Sequence, residues 1–197
     1  MDEAPMPHLA PPGAGLPAPE RLIARILFGL RRRTSERAGS DTRFREQREA
    51  VRRLVAGLDD ASAARRVLIA RPRGLEDSSR YWSVWMTLDH LRIVHHEIAR
   101  IIGELGKGSV PVGQASTAAV KPAAEVGREV VAAYEQSCDV VLAAAAAVPE
   151  LRTAVRFPHP WFGPLDAAGW HQLAAAHMGI HRVQIERIIA GLGRTDR

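Results

Sequence analysis

Cysteine is nearly missing from this chain, with Cys138 the only one in 197 residues. A disulfide framework is therefore excluded, and a lone cysteine inside an apolar helical run is expected to be a small core side chain in a reducing, cytoplasmic protein. Lysine is almost as scarce. Lys107 and Lys121 are the only two, so the formal charge of +5 is carried by arginine. These arginines are spread along helix faces among glutamates, and no basic strand studded with aromatics or recognition-helix pattern accompanies them. Nucleic acid is thus not the expected partner, and an anionic small molecule accounts for the charge equally well. Residues 1–19 are rich in Pro, Gly and Ala but start acidic and hold no long apolar run. They read as a disordered leader rather than a signal peptide or anchor, and no membrane partner is expected. Sustained period-two alternation is also absent, which argues against a sheet architecture.

What the sequence does have is helical periodicity. Residues 20–30 place Leu22, Ile23, Ile26, Leu27 and Leu30 on one face and run into Arg31, Arg32 and Arg33. This predicts a short amphipathic helix that packs on the rest of the protein or on a partner subunit. Helical spacing returns over residues 42–58, through Phe44, Val51, Leu54, Val55 and Leu58. A connection follows over 59–79, with a short helical piece at 61–69. Residues 81–105 then carry Met86, His90, Leu91, Val94, Ile98, Ile101 and Leu105 in one stripe, and Gly106 and Gly108 end it. The spacing predicts a third long helix over 122–148 and a fourth over 170–192 with Asp166 as its cap. The expected fold is an all-α antiparallel four-helix bundle with an additional N-terminal helix, forming one domain over 20–197 with its core at 42–192.

The last helix holds the most specific feature. His177 and His181 are four residues apart, which turns a helix by about 400° and leaves the two rings about 40° apart on one face. That face also carries Leu173, Ala174, Gln184, Ile185 and Ile188, so the pair points inward. An inward histidine pair is compatible with ordinary hydrogen-bonded core residues, and a third ligand from another segment is needed to make a firm metal site. His90 lies on the buried face of the second long helix and can meet the pair across the core. Three neutral imidazoles suit zinc or nickel, with iron or manganese also compatible. By angular count His95 and His96 fall off the buried face, while Glu97 returns to it. His95, His96 and His171 are therefore expected to be surface or loop-facing.

Three stretches together resemble the DinB superfamily. They are Trp82-Ser83 followed by His90 within Thr-Leu-Asp-His-Leu, the loop His159-Pro160-Trp161-Phe162-Gly163-Pro164-Leu165, and His177-Met178-Gly179-Ile180-His181 followed by Gln184-Ile185. The likeness spans residues 42–192 in the right order. It implies a bundle holding a divalent metal through one histidine of the second helix and two of the fourth, which here are His90, His177 and His181. It also implies a metal-dependent transferase that activates a low-molecular-weight thiol for attack on an electrophile in detoxification or stress. A hydrolase using the same three histidines, or a metal- or ligand-binding stress protein without turnover, shares every ligand. Gln184 and Glu97 are candidates for fixing an imidazole or accepting a proton. His159 either orients substrate or fixes its loop between two prolines. Trp161 and Phe162 either wall the substrate pocket or plug the end of the bundle. The implied partners are a small-molecule thiol, an electrophile and, as a candidate, a second copy of the chain. No catalytic side chain is singled out.

Overall fold

A computed structural model describes residues 7–193. Six α-helices follow one another among these residues: α1 (Ala18–Thr34), α2 (Arg37–Val55), α3 (Asp60–Ala64), α4 (Val84–Gly106), α5 (Val130–Ala147) and α6 (Ala167–Leu192). The four long helices α2, α4, α5 and α6 form the bundle, in which α4 packs along both α5 and α6 while α2 lies along α6. The core is built from Phe44, Trp85, Leu88, Ile98, Tyr134, Val141, Met178 and Ile185, all essentially inaccessible. Burying side chains of this size stabilises the fold by about 1.5–3 kcal/mol each before entropy is counted. The seam between α2 and α5 is polar. Arg48 spans it, bonding Glu135 at 2.6 Å and Asp139 at 2.6 Å. Among the described residues α5 alone is long and apolar enough to cross a membrane, and one of its faces, with Tyr134, Cys138, Val141 and Ala145, is buried in the bundle.

The all-α bundle expected from the sequence is the fold observed, trimmed by two short antiparallel strand pairs. β1 (Val67–Leu68) pairs with β2 (Tyr81–Trp82), and β3 (Phe157–His159) pairs with β4 (Gly163–Leu165). Each strand is two or three residues long, too short for alternation to show. The expected helix over 61–69 accordingly stops at Ala64. The helix expected over 122–148 starts only at Val130. The reason lies in the segment before it, whose backbone is used elsewhere: the Val120 carbonyl meets His90 and the Ala123 N–H donates to Asp89. A helix from Pro122 would aim the Ala124 carbonyl at the Arg128 N–H, whereas here that carbonyl accepts from the Arg66 side chain at 2.8 Å.

The leader is also more ordered than composition suggests. Residues 1–6 lie outside the described residues, but from Pro7 onward the chain follows a defined path. The Ala10 N–H donates to Asp77 at 2.8 Å and Leu16 is buried. Helix α1 then crosses the bundle on its polar side, with Glu20 accepting from Arg71 and from the Gly74 N–H.

Candidate metal centre

Helix caps set the depth of each histidine. Asp166 accepts from the Gly169 N–H at 2.8 Å and starts α6, so His177 and His181 fall on consecutive turns in its middle. Ser83 accepts from the Met86 N–H at 3.1 Å and starts α4, which puts His90 two turns in. Because α4 and α6 pack side by side, the three rings meet. The Nε2 of His177 is 3.2 Å from that of His90 and 3.1 Å from that of His181. Trp82 closes one side, with its ring 5.1 Å from His90 and stacked near parallel on His181 at 6.2 Å.

The far side of two rings decides where their protons are. His90 Nδ1 lies 2.6 Å from the Val120 carbonyl, which can only accept, so Nδ1 carries the proton and Nε2 a lone pair. His181 Nδ1 lies 2.6 Å from Gln184 Oε1, and the Gln184 amide donates to the Ser79 carbonyl at 2.7 Å. That second bond fixes the amide orientation, so His181 also turns an Nε2 lone pair inward. Burial holds all three rings neutral: it lowers His90 to about 4, and it lowers His177 and His181 well below the usual imidazole value, with the neighbouring imidazoles adding to the effect.

Two fixed lone pairs facing a third imidazole nitrogen form a donor set for a cation. Imidazole nitrogens bound tetrahedrally at about 2.0–2.1 Å stand roughly 3.3–3.4 Å apart, close to the separations found here. The three ligand atoms lie within 4.8 Å of one another. His177 Nδ1 is buried and has no hydrogen-bond partner among the described residues, so this ring can move its proton to Nδ1 and offer Nε2. The residues therefore fit a divalent metal. Beside them opens a cavity of about 160 Å³ with a mostly apolar lining, including Leu173, Ile180, Trp161, Phe162 and Trp170.

The model of the DinB superfamily matches residues 43–185. The chain belongs to the DinB superfamily. Its fold is similar to that of TT2238, described as a four-helix bundle protein, at 22% identity and a TM-score of 0.53 over 75% of this chain and 95% of the other. No curated protein matches this chain.

In this DinB protein the other residues singled out from sequence take different places. Gln184 holds His181, as above. Glu97 lines the cavity but pairs with Arg100 at 2.6 Å and is not hydrogen-bonded to any of the three rings. His159, Trp161 and Phe162 all line the cavity from the β3–β4 hairpin. His159 Nδ1 accepts from the Trp161 N–H at 3.1 Å, so its proton sits on Nε2, and burial lowers its pKa to about 4. It is a neutral donor. Its ring also stacks on Phe162 at 4.9 Å and meets Trp170 edge-on at 5.5 Å, so loop fixing and cavity lining are one arrangement.

Two histidines expected at the surface are buried. His95 is fully inaccessible and donates from Nδ1 to Ser137 at 2.9 Å, since the Ser137 hydroxyl itself donates to the Tyr134 carbonyl. A single-stripe reading of α4 fails because α5 and α6 cover it on two sides. His171 is buried with Nε2 3.0 Å from Asp41 of α2. His96 is exposed. Sequence reasoning also missed the supports of the site: the Val120 and Ser79 carbonyls, and Lys121, which bonds buried Glu76 at 2.9 Å. Burial pushes Glu76 up, but Lys121 and Thr117 outweigh it and hold the carboxyl below its usual range. Backbone acceptors in irregular segments leave no pattern in a sequence.

Proposed function

We propose that this DinB protein is a metal-dependent transferase that joins a low-molecular-weight thiol to an electrophile bound in the apolar cavity. The observation that carries this reading is the combination of a three-imidazole donor set with a cavity whose carboxylates, among the described residues, are both ion-paired. Glu76 is tied to Lys121 and Thr117, Glu97 to Arg100, and His159 presents a donor rather than a lone pair. Hydrolysis of an amide calls for a group that takes a proton from water and returns it to the leaving nitrogen. A thiol needs less help, being far more acidic than water. Its proton passes to solvent, and the C–S bond forms as the epoxide C–O, carbon–halogen or conjugated C=C π bond of the electrophile breaks. The released alkoxide or enolate takes up a proton, or the halide leaves.

A divalent cation held there would supply Lewis acidity that favours the thiolate at neutral pH, with zinc or nickel the best matched to three nitrogens. The chain supplies the rest. Val120 and Gln184 keep the His90 and His181 lone pairs aimed inward, and burial keeps protons from competing for them. Trp161, Phe162 and Ile180 bind the apolar part of the electrophile and keep water out, while His159 donates a hydrogen bond to a polar atom on it. Cys138 takes no part, being buried away from the cavity with its thiol pushed up to about 12.

The test is elemental analysis of the purified protein, followed by thiol consumption against a panel of epoxides, alkyl halides and Michael acceptors. Near-stoichiometric metal and metal-dependent thiol loss are expected, both abolished by His177→Ala. Thiol loss at the background rate in fully metal-loaded protein would reject the transferase reading.

A further inference from the structure

Helix α1 is docked the opposite way round from an ordinary amphipathic helix. It meets the bundle through polar groups and one aromatic: Glu20 on Arg71, Arg32 donating to the Pro164 carbonyl at 3.3 Å, and Phe28 stacked on Phe162 at 4.5 Å. Its apolar stripe looks outward. Leu22, Ile23, Ile26, Leu27 and Leu30 are 59%, 58%, 53%, 61% and 56% exposed. Five aliphatic side chains at that exposure form a patch of roughly 500 Å², at the upper end of what monomeric proteins leave in water.

We infer that this stripe is the interface of a homodimer, covered by the same stripe of a second copy across a two-fold axis near Ile26. Three features select that occupant. First, the spacing is that of paired helices: Ile23, Ile26 and Leu30 recur at intervals of three and four, flanked by Leu22 and Leu27, which widens the seam to about 140°. Second, the area suffices. A two-fold pairing buries the patch twice, roughly 1,000 Å² before the rim is added, which reaches the size of a specific interface. Third, the stripe is free of charge along its length. Between residues 22 and 30 the only charged residue is Arg25, about 130° from the middle of the stripe, so self-pairing sets no like charges against each other. A helix lying in a lipid surface instead carries basic residues along the flanks of its apolar face and often aromatics within it. Here the flanks hold Gly29 and Ala24, and the basic cluster Arg31, Arg32 and Arg33 lies beyond the stripe.

The pairing bears on the cavity as well. Ala24 lines it from α1, and Phe28 backs the Phe162 wall. A second copy pressed on the outer face holds α1 down as one side of that cavity. This inference stands on the exposed face alone and does not depend on the reaction catalysed.

Sedimentation velocity of the full chain from low to high micromolar concentration tests it. The wild type is expected at twice the 21.5 kDa chain mass. The double variant Ile26→Glu, Leu27→Glu is expected as a monomer with unchanged helical circular dichroism, since neither side chain is buried. Arg25→Glu, on the other side of the helix, should remain dimeric. Ile26→Cys should give a disulfide-linked dimer on oxidation. A monomeric wild type overturns the inference, and if that monomer cosediments with phosphatidylglycerol vesicles the face belongs to lipid. A double variant that stays dimeric also overturns it.

Discussion

Single side chains at the centre differ in what their loss would cost. Gln184 joins two buried groups, the His181 Nδ1–H and the Ser79 carbonyl, and is itself inaccessible. Gln184→Leu should leave both unpaired, costing about 1–3 kcal/mol of stability and roughly 10–100-fold in metal affinity. Calorimetric titration of the apo protein with zinc reads the second effect, and an unchanged affinity would show that His181 is oriented by packing alone. Removing a ligand is more severe: His90→Ala, His177→Ala or His181→Ala should each abolish stoichiometric metal. Because the apolar core is formed without the three rings, each variant should remain helical, with only the stabilisation that metal adds by mass action lost.

At the level of elements, the β3–β4 hairpin and the start of α6 both contribute a tryptophan to the cavity, but they hold it differently. Trp161 is partly exposed at the cavity, whereas Trp170 is buried and donates from Nε1 to the Phe157 carbonyl at 3.2 Å. Trp161→Ala is expected to raise KM for the electrophile with little change in melting temperature. Trp170→Ala should cost about 3–5 kcal/mol, as truncation of a buried aromatic does. Thermal melts beside steady-state kinetics distinguish the two, and a large loss of stability in Trp161→Ala with unaltered KM would make it a plug. At the other end of α6, Gly191 packs against β1, and a Cβ there would stand 2.5 Å from Val67 Cγ1. Alanine gains up to about 1 kcal/mol of helix propensity over glycine. The clash outweighs it, since Val67 is stiff at χ1 and paired with Trp82, so Gly191→Ala should lose roughly 1–3 kcal/mol in urea unfolding.

The whole molecule should be sensitive to acid when free of metal. Burial lowers the pKa of His95 to about 3, of His90 and His159 to about 4, and of His171, His177 and His181 below the ordinary value of 6.5, with Asp41 opposing the shift at His171. In the unfolded chain these rings take up protons near 6.5, while the folded protein keeps them neutral. Between each folded value and 6.5 the unfolded state therefore binds more protons. The stability present above pH 6.5 is lost as pH falls toward 4, by up to about 1.4 kcal/mol per pH unit for each histidine. Denaturant unfolding of chelator-treated protein at neutral and mildly acidic pH measures this, and equal stability at the two would show that the rings are solvated.

The sequence by itself determined the four long helices, because their apolar residues recur at 3.6-residue spacing, and it determined that His177 and His181 share a face, because four residues is one turn. It also located Asp166 as a cap and Gln184 one turn from His181. Such relations are local. What only the tertiary structure decided depends on which elements meet: that His90 Nε2 reaches the pair, that Val120 holds its other nitrogen, and that the backbone before α5 is bonded to Asp89 and Arg66 instead of winding into a helix. The burial of His95 and His171 belongs here too, since α4 is covered by two helices and His171 is met by Asp41 of α2. So does the outward stripe of α1, whose apolar spacing reads the same whether it faces a core or water. Periodicity states which side chains share a face, and only the packing of distant segments decides what that face meets.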